Sequence, residues 1–401
     1  MIKKEKINLV LIYIIFSLTF LGFYGIVMIL LNIGMGGVTR FVTIPVRALI
    51  GMSLLLLVSV NINKIKLQWY ARCFLLFIAF YVFRILCDYN SGYSYYLSPA
   101  ELLFYVFSFV VIPFLSISIF QLNQKYIKVI ETALFYSCVL FSVLAYFSYS
   151  KYVGQVSRLS SNTSGEEVVS PLILSYCATF VVGFIVTYLL YNKAGRIKTL
   201  VGVGSVVLSI IPFFLGASRG SLIALFIPFI IMLFTGKNIK FIILGLFAFI
   251  VIIFGLIYLD SSLGSGLIDR FMGIGEAVET GSNSASRIVI WNSSFNQFMD
   301  NPFFGDRFKV DNWDGYPHNL YIEVLQTTGF FGFIPFFILT IQALKISMKI
   351  FRTHKELTWV PMIFLQSFIQ NMFSGALFSA SWFWLSMALL FSCNLFIKSK
   401  K

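Results

Sequence analysis

The sequence predicts an all-α integral membrane protein with about twelve transmembrane helices, from its composition, the length of its apolar stretches and the placement of its lysines. Of its 401 residues, 59% are hydrophobic and 11% are charged, and the mean hydropathy is +0.89. A water-soluble fold cannot bury so large a share of apolar side chains. The apolar stretches are about 17 to 24 residues long, which matches the ~20 residues that an α-helix needs to cross a membrane.

The apolar stretches divide into twelve predicted spans, the first of which is a run from Leu9 to Leu31 behind a basic N-terminus. This run is too long for the core of a cleaved signal peptide, so it is expected to remain as a span. The last stretch, Trp359 to Ile397, has 39 residues and can form two helices joined near Ser374. The predicted spans lie near residues 8–31, 41–60, 69–87, 99–120, 128–149, 169–191, 199–217, 219–235, 240–259, 319–344, 358–375 and 377–397. An even number places both termini on the same side of the membrane.

Lysine and arginine are distributed differently between the two predicted faces. The inner segments hold 17 Lys and 3 Arg, whereas the outer segments hold 2 Lys and 8 Arg. Because cytoplasmic loops retain positive charge, the lysines place both termini in the cytoplasm. The outer arginines either pair with acids such as Asp88 or bind phosphate, for which the planar guanidinium is suited. Arg47, Arg84 and Arg219 favour phosphate binding, because they lie within or at the edge of spans, where ionisable residues are costly and usually functional.

The chain is predicted to form one polytopic membrane domain, residues 1–401, with one large outer loop at 260–318 between spans 9 and 10. Four apolar residues of this loop recur at helical spacing and predict an amphipathic helix near 286–300. They are Ile288, Trp291, Phe295 and Phe298. The helix is expected to lie on the membrane surface or to cap a cavity beneath it.

Arg219 is predicted to stand at the N-terminus of a helix, after the tight turn Gly216-Ala217-Ser218. A cation at this end opposes the helix dipole, at a cost of a few tenths to ~1 kcal/mol. The position is explained if an anion binds, because backbone N–H groups and the guanidinium would then face the same phosphate. The alternative is that Arg219 extends to the membrane surface and has no part in binding.

Arg287 and Trp291 lie one turn apart at the start of the predicted loop helix. Arg287 again puts a guanidinium near a helix start, where anions bind readily. The Trp291 ring can pack on lipid or stack on a sugar, and the sequence leaves both roles open.

His318 is one of two histidines in the chain and stands in Pro317-His318-Asn319, just before the tenth predicted span. A helix N-terminus lowers the pKa of an imidazole and favours the neutral form, which can accept a proton. Glu323 lies about 140° around the helix from His318 and is not expected to pair with it. The polar residues Glu323 and Gln326 to Thr328 predict a water-filled cavity around the first turns. A purely structural histidine is the alternative.

Sequence motifs for cofactor and metal chemistry are absent. The sequence contains no nucleotide-binding glycine loop, no HExxH motif or Cys/His cluster, and no GxSxG hydrolase motif. No cofactor and no metal site are therefore expected. The net charge of +14 is attributed to topology and phosphate binding, and no nucleic-acid partner is expected.

Three motifs follow one another between residues 216 and 332. They are Ser218-Arg219-Gly220 at a span start, then Arg287-x-x-x-Trp291 with Asn301-Pro302-Phe303-Phe304-Gly305, and finally His318-Asn319 before Glu323 and Gly329-x-x-Gly332. In this order they resemble the O-antigen polymerase and O-antigen ligase superfamily, bacterial inner-membrane glycosyltransferases that use undecaprenyl-diphosphate-linked glycans. The resemblance implies a GT-C-like glycosyltransferase architecture.

The resemblance also implies metal-independent transfer of a glycan from its lipid diphosphate to a sugar hydroxyl at the periplasmic face. His318 would deprotonate the acceptor hydroxyl, while Arg219 and Arg287 would hold and stabilise the departing diphosphate. The substrate-binding residues predicted on this basis are Arg47, Arg84, Trp291, Asn319 and Glu323. The implied partners are the bilayer, undecaprenyl-diphosphate-linked oligosaccharides as donor and acceptor, a chain-length-regulating co-polymerase and a flippase.

Polymerase and ligase differ in the acceptor, which is a lipid-diphosphate-linked repeat unit for a polymerase and lipid A-core for a ligase. The modest outer loop and the run from His318 to Gly332 look more like polymerases, so O-antigen polymerase is favoured and ligase is the alternative. A lipid-linked oligosaccharide flippase is the alternative of another class, because twelve spans and intramembrane arginines also suit a transporter. Transporters commonly contain internal repeats with paired broken helices, and this sequence shows none.

Overall fold

The structure is a computed structural model, and it describes residues 2–31, 39–62, 67–92, 95, 97–156, 158–159, 169–216, 218–236, 255, 257–262, 264, 266, 283–311, 313 and 315–400. These residues are mostly helical and contain no strand. Nine of their helices are long and apolar enough to cross a membrane. The predicted class, an all-α integral membrane protein, is confirmed.

We number the principal helices of these ranges α1 to α12. They are α1 (2–30), α2 (Thr39–Val60), α3 (Trp69–Asn90), α4 (Pro99–Ser118), α5 (Gln124–Tyr149), α6 (Pro171–Tyr191), α7 (Arg196–Gly216), α8 (Arg219–Thr235), α9 (Asn283–Asp300), α10 (Leu320–Thr353), α11 (Trp359–Phe373) and α12 (Ser381–Ser399). Helices α1 and α4 contain π-helical segments, Leu18–Val27 and Val106–Val111.

Eleven of the twelve predicted spans overlap one of these helices. The twelfth, 240–259, lies almost wholly outside the described residues. Helix α10 continues to Thr353, nine residues beyond the predicted end at 344. The extension keeps a helical apolar face, because Ile346, Ile350 and Phe351 are buried while Arg352 is exposed. The number and orientation of membrane crossings stay predictions.

The chain forms two compact units. The first contains α1, α2, α5 to α8 and residues 347–366, and the second contains α3, α4, α9, residues 320–346 of α10, residues 367–373 of α11, and α12. The prediction of a single membrane domain stays a prediction.

The first unit is held together partly by hydrogen bonds between helices. The Ser142 and Ser209 hydroxyls lie 2.9 Å apart between α5 and α7, and Gln366 Nε2 donates to the Thr179 carbonyl of α6 at 2.9 Å. Buried polar contacts of this kind stabilise helix pairs in a membrane by roughly 0.6 to 2 kcal/mol each.

Aromatic side chains form the core of the second unit. The Phe74 ring of α3 stacks on Phe114 of α4 with centroids 4.0 Å apart, and lies 5.3 Å from Trp384 of α12. Phe336 of α10 completes the cluster, 5.3 Å from Phe77. This packing fixes α3 and α12 against the first half of α10, at whose start His318 stands.

Candidate functional site

His318 has an unusual backbone conformation immediately before α10. Its φ is +58°, and it is the one residue other than glycine with a positive φ in the described ranges. A left-handed conformation is uncommon for histidine and persists only where the surroundings hold it. Such strain occurs most often at functional sites.

The residues on either side of His318 are anchored by hydrogen bonds. Trp291 Nε1 donates to the Pro317 carbonyl at 2.7 Å, so α9 holds the chain before His318. Asn319 caps α10, because its Oδ1 accepts from the Tyr321 and Ile322 backbone N–H groups. The polar groups of both side chains position the His318 turn, and the predicted contact of Trp291 and Asn319 with substrate stays a prediction.

The His318 imidazole is half-buried against the Tyr316 ring, with centroids 4.4 Å apart. Its Nδ1 is buried and makes no hydrogen bond within the described part of the chain. Burial and the positive charge of Arg287 lower the pKa of His318 to about 4. The imidazole is therefore neutral at physiological pH and can accept a proton.

Arg287 lies in the second turn of α9, near enough to His318 for its charge to act on the imidazole. It is half-buried and forms no ion pair with an acid of the described ranges. A guanidinium and a neutral imidazole thus lie near each other. The pair supplies a cation for an anionic leaving group beside a proton acceptor.

Helix α9 overlaps the range predicted for the loop helix, and Phe298 of the predicted apolar face is buried. Ile288 and Phe295 of the predicted apolar face are 44% and 48% exposed, whereas Gln297 is buried. Gln297 donates to Asp306 Oδ2 and to the Lys309 carbonyl, and its Oε1 accepts from the Asp311 backbone N–H. These hydrogen bonds hold the polar side chain of Gln297 inside the protein. The spacing of hydrophobic residues alone does not predict such a buried polar position.

Glu323 is 1% exposed and bonded entirely to the chain itself. Its carboxylate accepts from Tyr81 Oη of α3 at 2.9 Å and from the Leu377 backbone N–H at 2.9 Å. These contacts join α3 and the turn before α12 to α10, and the predicted role of Glu323 in substrate binding stays a prediction. Phe378 in that turn lies 6.0 Å from Tyr316, so Glu323 supports the ring that contacts His318.

The polar residues in the first turns of α10, around which a water-filled cavity was predicted, lie inside the protein. Glu323, Gln326, Thr327 and Thr328 are all buried. Gln326 Nε2 donates to the Arg307 carbonyl at 3.0 Å, while both threonine hydroxyls donate to carbonyls one turn earlier. These three polar groups are thus bonded to protein carbonyls, whereas Gln326 Oε1 is buried and makes no hydrogen bond within the described residues.

Arg84 was predicted to contact phosphate, and its guanidinium is bound to backbone carbonyls. Nη2 donates to the Phe304 carbonyl at 3.1 Å and to the Gly305 carbonyl at 2.8 Å, and Nε donates to the Thr327 carbonyl at 3.2 Å. Asp88, one turn along α3, accepts from the Phe308 backbone N–H at 2.8 Å. Helix α3 thus clamps residues 304–308 onto α10.

Gly329 interrupts α10 with φ +56° and ψ −159°, a conformation that is essentially restricted to glycine. Residues 302–306 dock on this kink, because the Phe330 N–H donates to the Pro302 carbonyl at 2.8 Å and the Phe331 N–H to the Phe303 carbonyl at 3.2 Å. A Cβ at Gly329 would lie 2.5 Å from the Phe303 carbonyl group. The Asn301–Gly305 and Gly329–Gly332 motifs therefore pack against each other and are joined by backbone hydrogen bonds.

Gly329→Ala is expected to destabilise the protein by at least about 1–3 kcal/mol, because alanine would be strained and its Cβ would displace Phe303. Gly204→Ala is the matched control, since Gly204 lies in α7 and a Cβ there meets nothing within 4 Å. That change should stabilise by about 0.5–1 kcal/mol through helix propensity. The midpoint of thermal unfolding in detergent measures both, and an unchanged midpoint for Gly329→Ala would refute the role of the kink.

In the first unit, Arg219 is the first residue of α8 and follows Ser218, as predicted. The preceding turn packs closely on α6, because a Cβ at Gly216 would lie 2.5 Å from the Pro171 carbonyl oxygen. Arg47 lies in α2, half-buried, with its guanidinium 5.0 Å from the centroid of the Phe23 ring. The convergence of Arg219 and Arg47 with His318 stays a prediction.

Residues 204–337 match a family model described as O-antigen ligase. The predicted family resemblance is confirmed. The matched range runs from α7 into α10 and contains Arg219, Arg287 and His318. No curated protein matches the chain significantly.

The family match adds a chemical context to the geometry. Members of this family are glycosyltransferase-like enzymes, and the family implies lipid-linked glycan substrates in a membrane. In the described ranges, no group of three His, Cys, Asp or Glu side chains is arranged to hold a metal ion. What the described site offers is a neutral imidazole, a nearby guanidinium and a rigid backbone that holds them.

Proposed function

We propose that this protein is an O-antigen or other surface-polysaccharide polymerase of the bacterial inner membrane. It transfers a growing glycan from undecaprenyl diphosphate to a sugar of another undecaprenyl-diphosphate-linked repeat unit at the periplasmic face. The observation that carries the proposal is His318, whose buried Nδ1 makes no hydrogen bond in the described structure and whose backbone is held in a left-handed conformation.

In the proposed step, His318 accepts the proton of the acceptor hydroxyl as its oxygen attacks the anomeric carbon of the donor. The bond between that carbon and the diphosphate oxygen breaks, and undecaprenyl diphosphate leaves as an anion. Arg287 stabilises the leaving group, because a preorganised cation acts strongly in a site that excludes water. Arg219, which belongs to the first of the three family motifs, also stabilises the departing diphosphate.

Arg287 also links donor binding to the basicity of His318. With no donor bound, the positive charge of Arg287 acts with burial to lower the pKa of His318. A bound diphosphate offsets this charge, so the pKa rises and the imidazole becomes a stronger base once the donor is in place. The proposed chemistry uses arginines for charge compensation and needs no metal.

O-antigen ligase is the second candidate, because the matching family model carries that description. The two activities are separated by deleting the protein and examining the lipopolysaccharide on a gel. Core bearing a single repeat unit is expected for a polymerase. Core alone, with lipid-linked polymer accumulating, would establish a ligase, and repeat units trapped on the inner leaflet would establish a flippase.

A further inference from the structure

A cavity of about 130 Å³ lies between the end of α3, the start of α4 and residues 308–309, all within the second unit. Its principal lining residues are Asp88, Tyr89, Tyr95, Ser98, Phe308 and Lys309. One water needs roughly 10–15 Å³ of such space, so the cavity has room for about nine to thirteen non-hydrogen atoms, a range that includes the twelve of one hexose.

The lining combines apolar faces with a few polar groups. Tyr89 stands at the rim with 65% of its surface exposed, and Phe308 is buried at the inner side. The Asp88 carboxylate is held by the Phe308 N–H at 2.8 Å and by Arg84 Nη1 at 3.7 Å. A carboxylate has about four acceptor positions, and the Phe308 N–H fills one of them. This mixture suits a ligand with one face of C–H groups and a rim of hydroxyls.

Aromatic rings lead from the cavity towards His318. Leu102 lines the cavity, and Tyr105, one turn later in α4, lies 6.1 Å from Phe378. Phe378 lies 6.0 Å from Tyr316, whose ring is 4.4 Å from His318. The cavity is therefore a few ring widths from the proton acceptor, a separation that an oligosaccharide can span.

We propose that this cavity binds one pyranose of the lipid-linked glycan, so that the sugar chain is held at a second point away from the reacting hydroxyl. This inference rests on the proposed function. Tyr89 packs against the C–H face of the sugar, while Asp88 and Lys309 bind its hydroxyls. Either the acceptor repeat unit or the growing donor chain can supply the sugar, and the kinetic test distinguishes them.

Tyr89→Ala is the variant to test, since this exposed side chain can be removed without opening the core. The assay uses purified protein, lipid-linked repeat units as acceptor and lipid-linked polymer as donor. Tyr89→Ala should raise the KM for one of these two substrates by about tenfold, equivalent to 1.4 kcal/mol of binding free energy, with little change in kcat. A higher KM for the repeat unit assigns the sugar to the acceptor, and a higher KM for the polymer assigns it to the donor. Tyr89→Phe keeps the ring and should restore the wild-type KM.

Tyr258→Ala is the matched control, because Tyr258 is 73% exposed and does not line the cavity. Binding is also measured directly, by saturation-transfer NMR with the oligosaccharide released by mild acid from the lipid-linked repeat unit. Wild-type protein and Tyr258→Ala should bind it and Tyr89→Ala should bind it weakly. Equal binding and equal KM values for both alanine variants would overturn the cavity assignment. Failure of the wild-type protein to form any polymer would instead overturn the proposed function.

Discussion

Replacing His318 with alanine is expected to lower kcat/KM for glycan transfer by about 10²- to 10⁴-fold, the usual contribution of a general base. Without the imidazole, the acceptor hydroxyl has no group positioned to take its proton, although Arg287 remains to bind the donor. The loss should therefore fall mainly on kcat, and donor binding should change little. Initial rates with purified protein and lipid-linked repeat units measure this effect.

His354→Ala provides a matched control, since His354 is the other histidine of the chain. It stands between α10 and α11, with its Nδ1 3.8 Å from Glu356, away from the His318 turn in sequence. This variant should keep the wild-type rate. Equal loss of activity in both variants would show that histidine removal acts through folding, and the assignment of His318 as the base would then fail.

Replacing Arg287 with glutamine is expected to reduce kcat by about 10²- to 10³-fold, as loss of one preorganised charge-stabilising group does in other enzymes. The cause is weaker stabilisation of the departing diphosphate. Arg352→Gln is the control, because Arg352 is exposed near the end of α10. Retained activity in Arg287→Gln would remove this residue from the proposed mechanism.

The pH dependence of Arg287→Gln tests the same residue independently. In the wild-type protein, kcat/KM should rise with pH through about 4 and level off above it. The reason is that His318 acts as a base only when unprotonated, and its pKa in the protein without bound substrate is about 4. Without the charge of Arg287 this pKa should rise, while burial still holds it below the ordinary histidine value. The rise of kcat/KM with pH should therefore occur at higher pH in Arg287→Gln than in the wild-type protein. A rise at the same pH in both proteins would mean that the two residues do not interact.

The sequence predicts those features of the structure that depend on neighbouring residues. Apolar stretches locate eleven helices because the length of a span is set by the membrane. The start of α8 at Arg219 and the presence of α9 follow from turn residues and helical spacing. His318, Arg219 and Arg287 were predicted together as catalytic residues on the strength of the family resemblance, and that shared role stays a prediction.

Contacts between distant parts of the chain could not be predicted in the same way. Glu323 bonds to Tyr81, 242 positions earlier, and to Leu377, 54 positions later, so its polar character was interpreted as a sign of water. Arg84 resembled a phosphate ligand because the carbonyls that it binds, around Gly305, lie 221 positions away. Tyr316 belongs to no recognisable motif, and its contact with His318 emerges only when the turn is folded.

The role of His318 is tested by incubating purified protein with lipid-linked repeat units and analysing the products by mass spectrometry. Wild-type protein is expected to form lipid-linked oligomers with release of one undecaprenyl diphosphate per bond, and His318→Ala is expected to form almost none while it still binds the donor. Oligomers formed by His318→Ala at the wild-type rate would contradict the claim that His318 accepts the acceptor proton.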